Sequence, residues 1–169
     1  GRIFSPHRQT PLHHRHKQAG ASFMQAGNWL RPEYYAVPGK ARQEAIAEEV
    51  TAVRQRVGLI DVGTLGKLEI SGPDAAGFIE RIYTGRLGKL QPGMTRYVLM
   101  CDESGVIIDD GVAARLGPDR FYVTTTTSGS DAVAREMRRW AMVWGMKMVL
   151  VNATGTYAAM NLAGPHARR

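Results

Sequence analysis

The sequence predicts an α+β fold, an antiparallel sheet with helices packed on it, and three observations carry that prediction. Short runs of alternating or β-branched residues recur along the chain, most of them separated by Gly, Pro or Asp turn signals. Single helical stripes interrupt those runs. No Gly-rich phosphate loop of the kind a parallel nucleotide-binding fold requires occurs anywhere.

The first forty residues lack a clean period and are crowded with turn formers and aromatics, among them Pro11, Gly20, Gly27, Trp29, Pro32, Tyr34, Tyr35, Pro38 and Gly39. Such a segment is expected to wrap over a core, and 1–42 is set apart on that ground. Ile46, Val50, Val53 and Val57 then recur at helical spacing between charged residues, with Gly58 where helices commonly end, which predicts a helix from Gln43 to Val57. Leu68 and Ile70 alternate with Lys67 and Glu69 as a strand. Gly72-Pro73 opens a helix with Phe78, Ile79 and Ile82 on its buried face. Strands are expected at Arg96–Cys101, Val106–Ile108, Val112–Leu116, Phe121–Thr126 and Lys147–Asn152. Between the last two, Val133, Met137, Trp140 and Trp144 have the i, i+4, i+7, i+11 spacing of a buried helical stripe, with Ser128 or Ser130 as cap. Strand followed by Gly-Pro appears a second time, where Ala159–Ala163 runs into Gly164-Pro165-His166-Ala167 in parallel with Leu68–Ser71 running into Gly72-Pro73-Asp74-Ala75. The pair reads as an internal repeat.

With 169 residues, 44% hydrophobic and 22% charged, the composition is that of one soluble domain able to bury a core. No apolar run approaches the roughly 18 residues of a membrane span, and the start is rich in His and Arg rather than carrying a signal-peptide block, so a soluble, cytoplasmic protein is expected. The lone Cys101 excludes an internal disulfide, a Cys-based zinc cage and Cys-pair redox chemistry. The formal charge of +7 falls heavily on the ends, in Arg2, Arg8, Arg15, Lys17, Arg168 and Arg169. With no basic helix and no nucleic-acid motif between them, the charge reads as solvated tails rather than a nucleic-acid interface.

Asp109-Asp110 is the most unusual local feature, two adjacent carboxylates interrupting an otherwise apolar stretch from Val106 to Val112. Neighbouring strand positions face opposite sides, so one carboxylate can point inward as a base or cation stabiliser while the other meets solvent. Against this, Asp-Gly between two apolar runs is a strong hairpin signal, and from the residues alone the turn is favoured. His7, His13, His14 and His16 invite a metal, yet no acidic or Cys ligands cluster near them, and no metal is expected. Thr124 to Thr127 and the ring of Tyr97 offer groups that could bond a ligand, though both types are common in strands.

These residues, taken in order, resemble the aminomethyltransferase family. The resemblance is carried by Thr10-Pro11-Leu12-His13-His14 with Gly20-Ala21, Gly27-Asn28-Trp29-Leu30-Arg31-Pro32, Asp61-Val62-Gly63-Thr64-Leu65-Gly66-Lys67, Gly72-Pro73-x-Ala75 and Gly105-Val106-Ile107-Ile108-Asp109-Asp110-Gly111. It covers the chain from Thr10 onward. The His-His pair and Trp-x-Arg-Pro are more similar to the α subunit of heterotetrameric sarcosine oxidase than to the glycine-cleavage T-protein.

The resemblance implies the first half of the aminomethyltransferase-type folate-binding fold, with 43–163 as its first repeat and 164–169 as the opening of a second. It implies that Asp110 acts at the bridging nitrogen of tetrahydrofolate, as base or electrostatic stabiliser, reversing the preference for a bare turn. It places Leu65 against the pterin, and Tyr97, Val112 and Thr126 in the folate pocket; Thr126 and Leu65 replace an Asn and a Met of many relatives. Gly63 and Arg15 stand where a serine and an aromatic are expected. By the same resemblance the carbon donor is an amine-derived imine made by a flavin-bearing partner subunit. Flavin and NAD would belong to the whole complex and not to this segment. Alternatives are a glycine-cleavage aminomethyltransferase, the folate domain of a dimethylglycine or sarcosine dehydrogenase, or a non-catalytic folate-binding assembly factor. The family's folate site also uses residues of the second half of the domain, so this segment alone is expected to hold only part of the pocket.

Overall fold

The computed structural model describes residues 7–168; Arg2, Arg169 and the outermost parts of the expected segments 1–42 and 164–169 lie outside the described residues. In chain order the elements are β1 (Arg8–Gln9), α1 (His13–Gln18), β2 (Ala21–Ala26), β3 (Trp29–Tyr35), α2 (Arg42–Gln55), β4 (Gly58–Asp61), β5 (Gly66–Ser71) and α3 (Ala75–Ile82). After a short 3-10 turn come β6 (Thr95–Cys101), β7 (Ile107–Gly117), β8 (Arg120–Thr125), α4 (Ser130–Val143), β9 (Val149–Asn152) and β10 (Met160–Ala163). Two compact units result, one of residues 1–64 with 158–169 and one of residues 65–157.

The first unit holds a three-stranded sheet ordered β1-β3-β2 and a two-stranded sheet of β4 with β10. The aperiodic N-terminal segment therefore contains strands of its own. Their alternation is hidden because the register shifts between Ser22 and Phe23, and because Pro32, opposite Phe23, occupies a strand position. Trp29 is buried, and the Arg8 guanidinium lies 4.5 Å over its ring. Helix α2 begins where the Glu44 carboxylate accepts the Ala41 N–H (2.9 Å). It stops two residues short of Val57, and Gly58 opens β4 instead of closing the helix. A Cβ on Gly58 would collide with the Val53 side chain, so the glycine there serves close packing.

The second unit is a five-stranded antiparallel sheet ordered β6-β7-β8-β5-β9. Leu68, Ile70, Val98, Met100, Phe121 and Val123 from its inner face form one core with Phe78, Ile79 and Ile82 of α3 and Val133 and Met137 of α4. Both helices thus bury the stripes their spacing predicts. Trp140 and Trp144 pack at the margin, stacked at 4.9 Å, with Trp144 one residue past the helix. Neither Ser128 nor Ser130 caps α4. The cap residue is Gly129, whose N–H donates to the Thr126 hydroxyl (3.1 Å), while the Ser130 hydroxyl is bonded to that of Thr154 (3.0 Å).

The runs expected as separate strands around Asp109-Asp110-Gly111 are one strand, β7, and no turn forms there. Asp109 pairs with Met100 and Asp110 with Leu99. The chain reverses earlier, where Asp102 Oδ1 accepts the Ser104 N–H (2.9 Å), the Ser104 hydroxyl (2.7 Å) and the Val106 N–H (3.0 Å). Gly105 supplies φ +86° there. An Asp that can bond its own downstream backbone outcompetes the Asp-Gly signal eight residues on.

The two Gly-Pro turns match bond for bond. Ala75 N–H donates to Gly72 O (3.0 Å) and Ala167 N–H to Gly164 O (3.1 Å). Asp74 N–H reaches Lys147 O (3.3 Å), two residues before β9, and His166 N–H reaches Arg56 O (2.8 Å), two residues before β4. Ser71 pairs with Val149 and Ala163 with Gly58, the first residues of those strands. Gly72 and Gly164 have φ +131° and +117°. A Cβ on Gly72 would lie 2.7 Å from Lys147 O and 2.9 Å from Met148 Cα. Gly72→Ala is therefore expected to destabilise by more than about 1 kcal/mol, read as a lowered urea midpoint at unchanged m-value.

Candidate functional site

Because β7 is continuous, its two carboxylates separate to opposite faces of the sheet. Asp110 lies on the outer face, away from the helices. There the Tyr97 hydroxyl donates to Asp110 Oδ2 (2.6 Å), and Tyr97 pairs across the ladder with Val112. Tyr97 is 62% exposed and Val112 38%, so the carboxylate and its phenol stand on an open surface. The bond to Asp110 raises the Tyr97 phenol above its ordinary value, with slight burial and the charges of Asp110 and Asp109 adding to it. One row further along the same face, Ala114 pairs with Tyr122, Tyr122 with Glu69, and Glu69 with Val151. Glu69 there accepts from Tyr157 (2.7 Å) and Arg120 (2.9 Å), which hold its carboxyl below the usual range.

Asp109 points the other way and is 5% exposed. It accepts the Thr126 hydroxyl at 2.5 Å and the Thr126 N–H at 3.3 Å. Burial raises the Asp109 carboxyl; the Thr126 bonds oppose this without cancelling it, and the charge of Asp110 adds to the rise. Of the five residues expected at a folate site, the structure brings together Asp110, Tyr97 and Val112. Thr126 is attached to the inward carboxylate instead. Leu65 is half-buried, its carbonyl accepting the Lys67 ammonium (2.9 Å), and among the described residues no hydrogen bond, ring contact or ladder pair joins it to the other three. Two cavities, of about 620 and 510 Å³, are lined by other residues.

Sequence reasoning missed a buried cluster in the first unit. Asp61 Oδ2 accepts the Thr10 hydroxyl (2.6 Å) and bonds His16 Nε2 (2.9 Å), while Oδ1 accepts the Gly63 N–H (2.8 Å). His16 Nδ1 lies 2.7 Å from the Tyr35 hydroxyl at the wall of the 510 Å³ cavity. A carboxylate that only accepts assigns the Nε2 proton to neutral His16, leaving Nδ1 to accept from Tyr35. Burial pushes the Asp61 carboxyl up, and the bonds from Thr10, Gly63 and His16 more than reverse this, leaving it lowered. The cluster explains Gly63: a Cβ there would lie 2.9 Å from Asp61 Oδ1, so the serine expected at this position would crowd the carboxylate. Of the other histidines, His14 is bonded to Gln18 (3.0 Å) and His13 packs on Phe23 (4.5 Å). Among the described residues no three His, Cys, Asp or Glu side chains converge as a metal site, and no helix is long and apolar enough to cross a membrane.

Residues 12–169 match the family described as the GCVT N-terminal domain. The chain belongs to that family. Members and relatives bear out both the resemblance and the fold. The sarcosine oxidase subunit alpha of Corynebacterium sp. (strain U-96) is 41% identical over 170 residues, covering 99% of this chain and 18% of the relative. The aminomethyltransferase of Mycobacterium leprae (strain Br4923) is 34% identical over 155 residues, covering 92% of this chain and 39% of its own. The crystal structure of the glycine cleavage system aminomethyltransferase T from Bartonella henselae superposes with a TM-score of 0.81 at 25% identity, over 95% of this chain and 41% of that one. This GCVT N-terminal domain thus spans less than half the length of each of these relatives.

Two measurements check the geometry. Asp110→Asn should bring the ionisation of Tyr97 down toward the ordinary phenol value near 10, followed by the 19F resonance of a fluorotyrosine placed at 97. For Asp61 the folded value lies below the unfolded one, so its stabilisation is present above about pH 4 and is lost as pH falls through the lower, folded value. Asp61→Asn should lower stability at pH 7 by about 1–3 kcal/mol and flatten the acid limb of a denaturation-versus-pH curve.

Proposed function

We propose that this domain is the front part of a tetrahydrofolate-dependent one-carbon transfer unit of the sarcosine oxidase α type, capturing the carbon of oxidised sarcosine as methylenetetrahydrofolate. The observation that carries the reading is the Asp110–Tyr97 pair on the open face of an unbroken strand. The identity to sarcosine oxidase α subunits supports the choice of donor. The folate supplies two ring-side amines that take up the carbon. The donor iminium would give its CH₂ to those amines, and the two protons they lose would pass, by way of a base, to the departing amine, which would leave as an ammonium ion, so that one positive charge stands on each side. Asp110 is suited to receive a proton from the attacking amine and to stabilise the cation beside it. Tyr97 holds the carboxylate from one side, and Val112 offers an apolar wall next to it. Leu65 and Thr126 belong to the proposal by resemblance alone. The positive formal charge of +7 would attract a polyglutamyl folate, an effect that salt screens.

The iminium would come from a flavin-bearing partner subunit, with flavin and NAD held outside this segment. The proposed division is 1–42, 43–163 as the first repeat, and 164–169 as the start of a second, and the matched Gly-Pro turns support it. A glycine-cleavage aminomethyltransferase is the second reading, favoured by the likeness to the M. leprae and B. henselae proteins. It would share Asp110 and differ in the donor.

The test is sarcosine-dependent formation of methylenetetrahydrofolate by the full-length parent with its partner subunits. Asp110→Asn should go on oxidising sarcosine but release free formaldehyde, with folate capture reduced about 100-fold or more. Equal coupling in the mutant would make Asp110 a strand residue without a role, and no use of sarcosine by the wild type would shift the donor to another amine.

A further inference from the structure

Asp110 lies beyond the end of the β7–β8 ladder, on a part of β7 that is backbone-paired with β6 through Leu99. Paired residues run from Gly117↔Arg120 to Ala113↔Val123, and beyond Ala113 the two strands are tied by side chains instead. On one side of Asp110 the Thr124 hydroxyl accepts the Val112 N–H (2.9 Å), and a Cβ on Gly111 would collide with the Thr124 carbonyl, so the backbones approach closely there. On the other side Asp109 takes both the O–H and the N–H of Thr126. The Thr126 hydroxyl in turn accepts the Gly129 N–H at the start of α4. Gly129 closes this arrangement sterically, since a Cβ on it would collide with Asp109 Oδ1 and lie 2.6 Å from Thr126 Oγ1.

We infer that Asp109 and Thr126 form a positioning clamp for Asp110, fixing the rotation of β7 so that the Asp110 carboxylate stays on Tyr97 across the opposite face. The inference rests on the reading of Asp110 above and deepens it. Thr126 then acts through Asp109 rather than by touching the ligand. Backbone pairing holds β7 here on the β6 side, and a twist of the strand on its β8 side would swing Asp110 together with its neighbour, because adjacent side chains share one peptide plane between them. Misplacement of a reacting group by about 1 Å can cost a factor of roughly 100 in rate.

The experiment uses the full-length parent with its partner subunits, carrying fluorotyrosine at position 97, in variants Thr126→Val, Thr126→Ser and Gly129→Ala. Thr126→Val removes the hydroxyl. Gly129→Ala leaves every polar group in place and wedges the clamp open, so it reports independently should the valine variant fail to fold. Both should lower kcat for folate capture about tenfold or more, leave the folate KM within about twofold, and shift the 19F resonance at 97. Thr126→Ser should keep kcat and the resonance of the wild type. The clamp is overturned if Gly129→Ala captures carbon at the wild-type rate, if serine fails as badly as valine, or if kcat falls while the resonance stays in place. If these variants and Asp110→Asn all couple normally, the site reading itself has failed and the clamp falls with it; if only Asp110→Asn fails, the reading stands and the clamp does not.

Discussion

The candidate site depends on β7 running without a break through two adjacent carboxylates. A strand can carry such a pair only if one member tolerates the interior, and here Asp109 does so because Thr126 gives it two donors while Ser104, Val106 and Asp102 complete the chain reversal further upstream. Burying a carboxyl without partners would cost several kcal/mol. With Asp109 satisfied, strand alternation delivers Asp110 to the outer face with no further instruction. The catalytic proposal for Asp110 is thus a consequence of the way its neighbour is buried.

Much of the second unit was legible. Phe78, Ile79 and Ile82, and Val133 and Met137, announce their helices through spacing, and spacing survives because these residues pack into one core on the sheet. What misled was competition between local signals of equal strength. Asp109-Asp110-Gly111 reads as a turn, Asp102-Glu103-Ser104-Gly105 is as rich in turn formers, and the hydrogen bonds of Asp102 decide between them. The cap of α4 failed for a related reason: Ser130 is the right residue type, but Thr154 claims its hydroxyl across 24 positions of sequence. The N-terminal strands hid behind a register shift and a proline in β3.

The Asp109-Asp110 pair stands out in the sequence by itself, whereas Tyr97, Val112, Leu65 and Thr126 enter the candidate site through likeness to a family. Nothing in Tyr97 or Val112 distinguishes them from other strand residues, and their meaning comes from standing opposite one another beside Asp110. The Asp61 cluster shows the converse. Its members, Thr10, His16, Tyr35 and Asp61, lie up to 51 positions apart, share no motif spacing, and become a unit only once α1, β3 and β4 are placed. A histidine-rich start invites thoughts of metal, yet the one histidine held in the interior is occupied by a carboxylate and a phenol.

The discontinuity of the first unit bears on how the chain is made. β4 is complete once Asp61 has been synthesised, but its antiparallel partner begins at Met160, so the ribosome must add the whole of 65–157 before the Asp61–Met160 pair can form. That intervening stretch contains every strand of the five-stranded sheet and can close on itself first. The unit that is translated earliest is therefore finished last. Until then β4, whose Leu59 and Ile60 stay exposed even in the finished fold, has an unpaired edge.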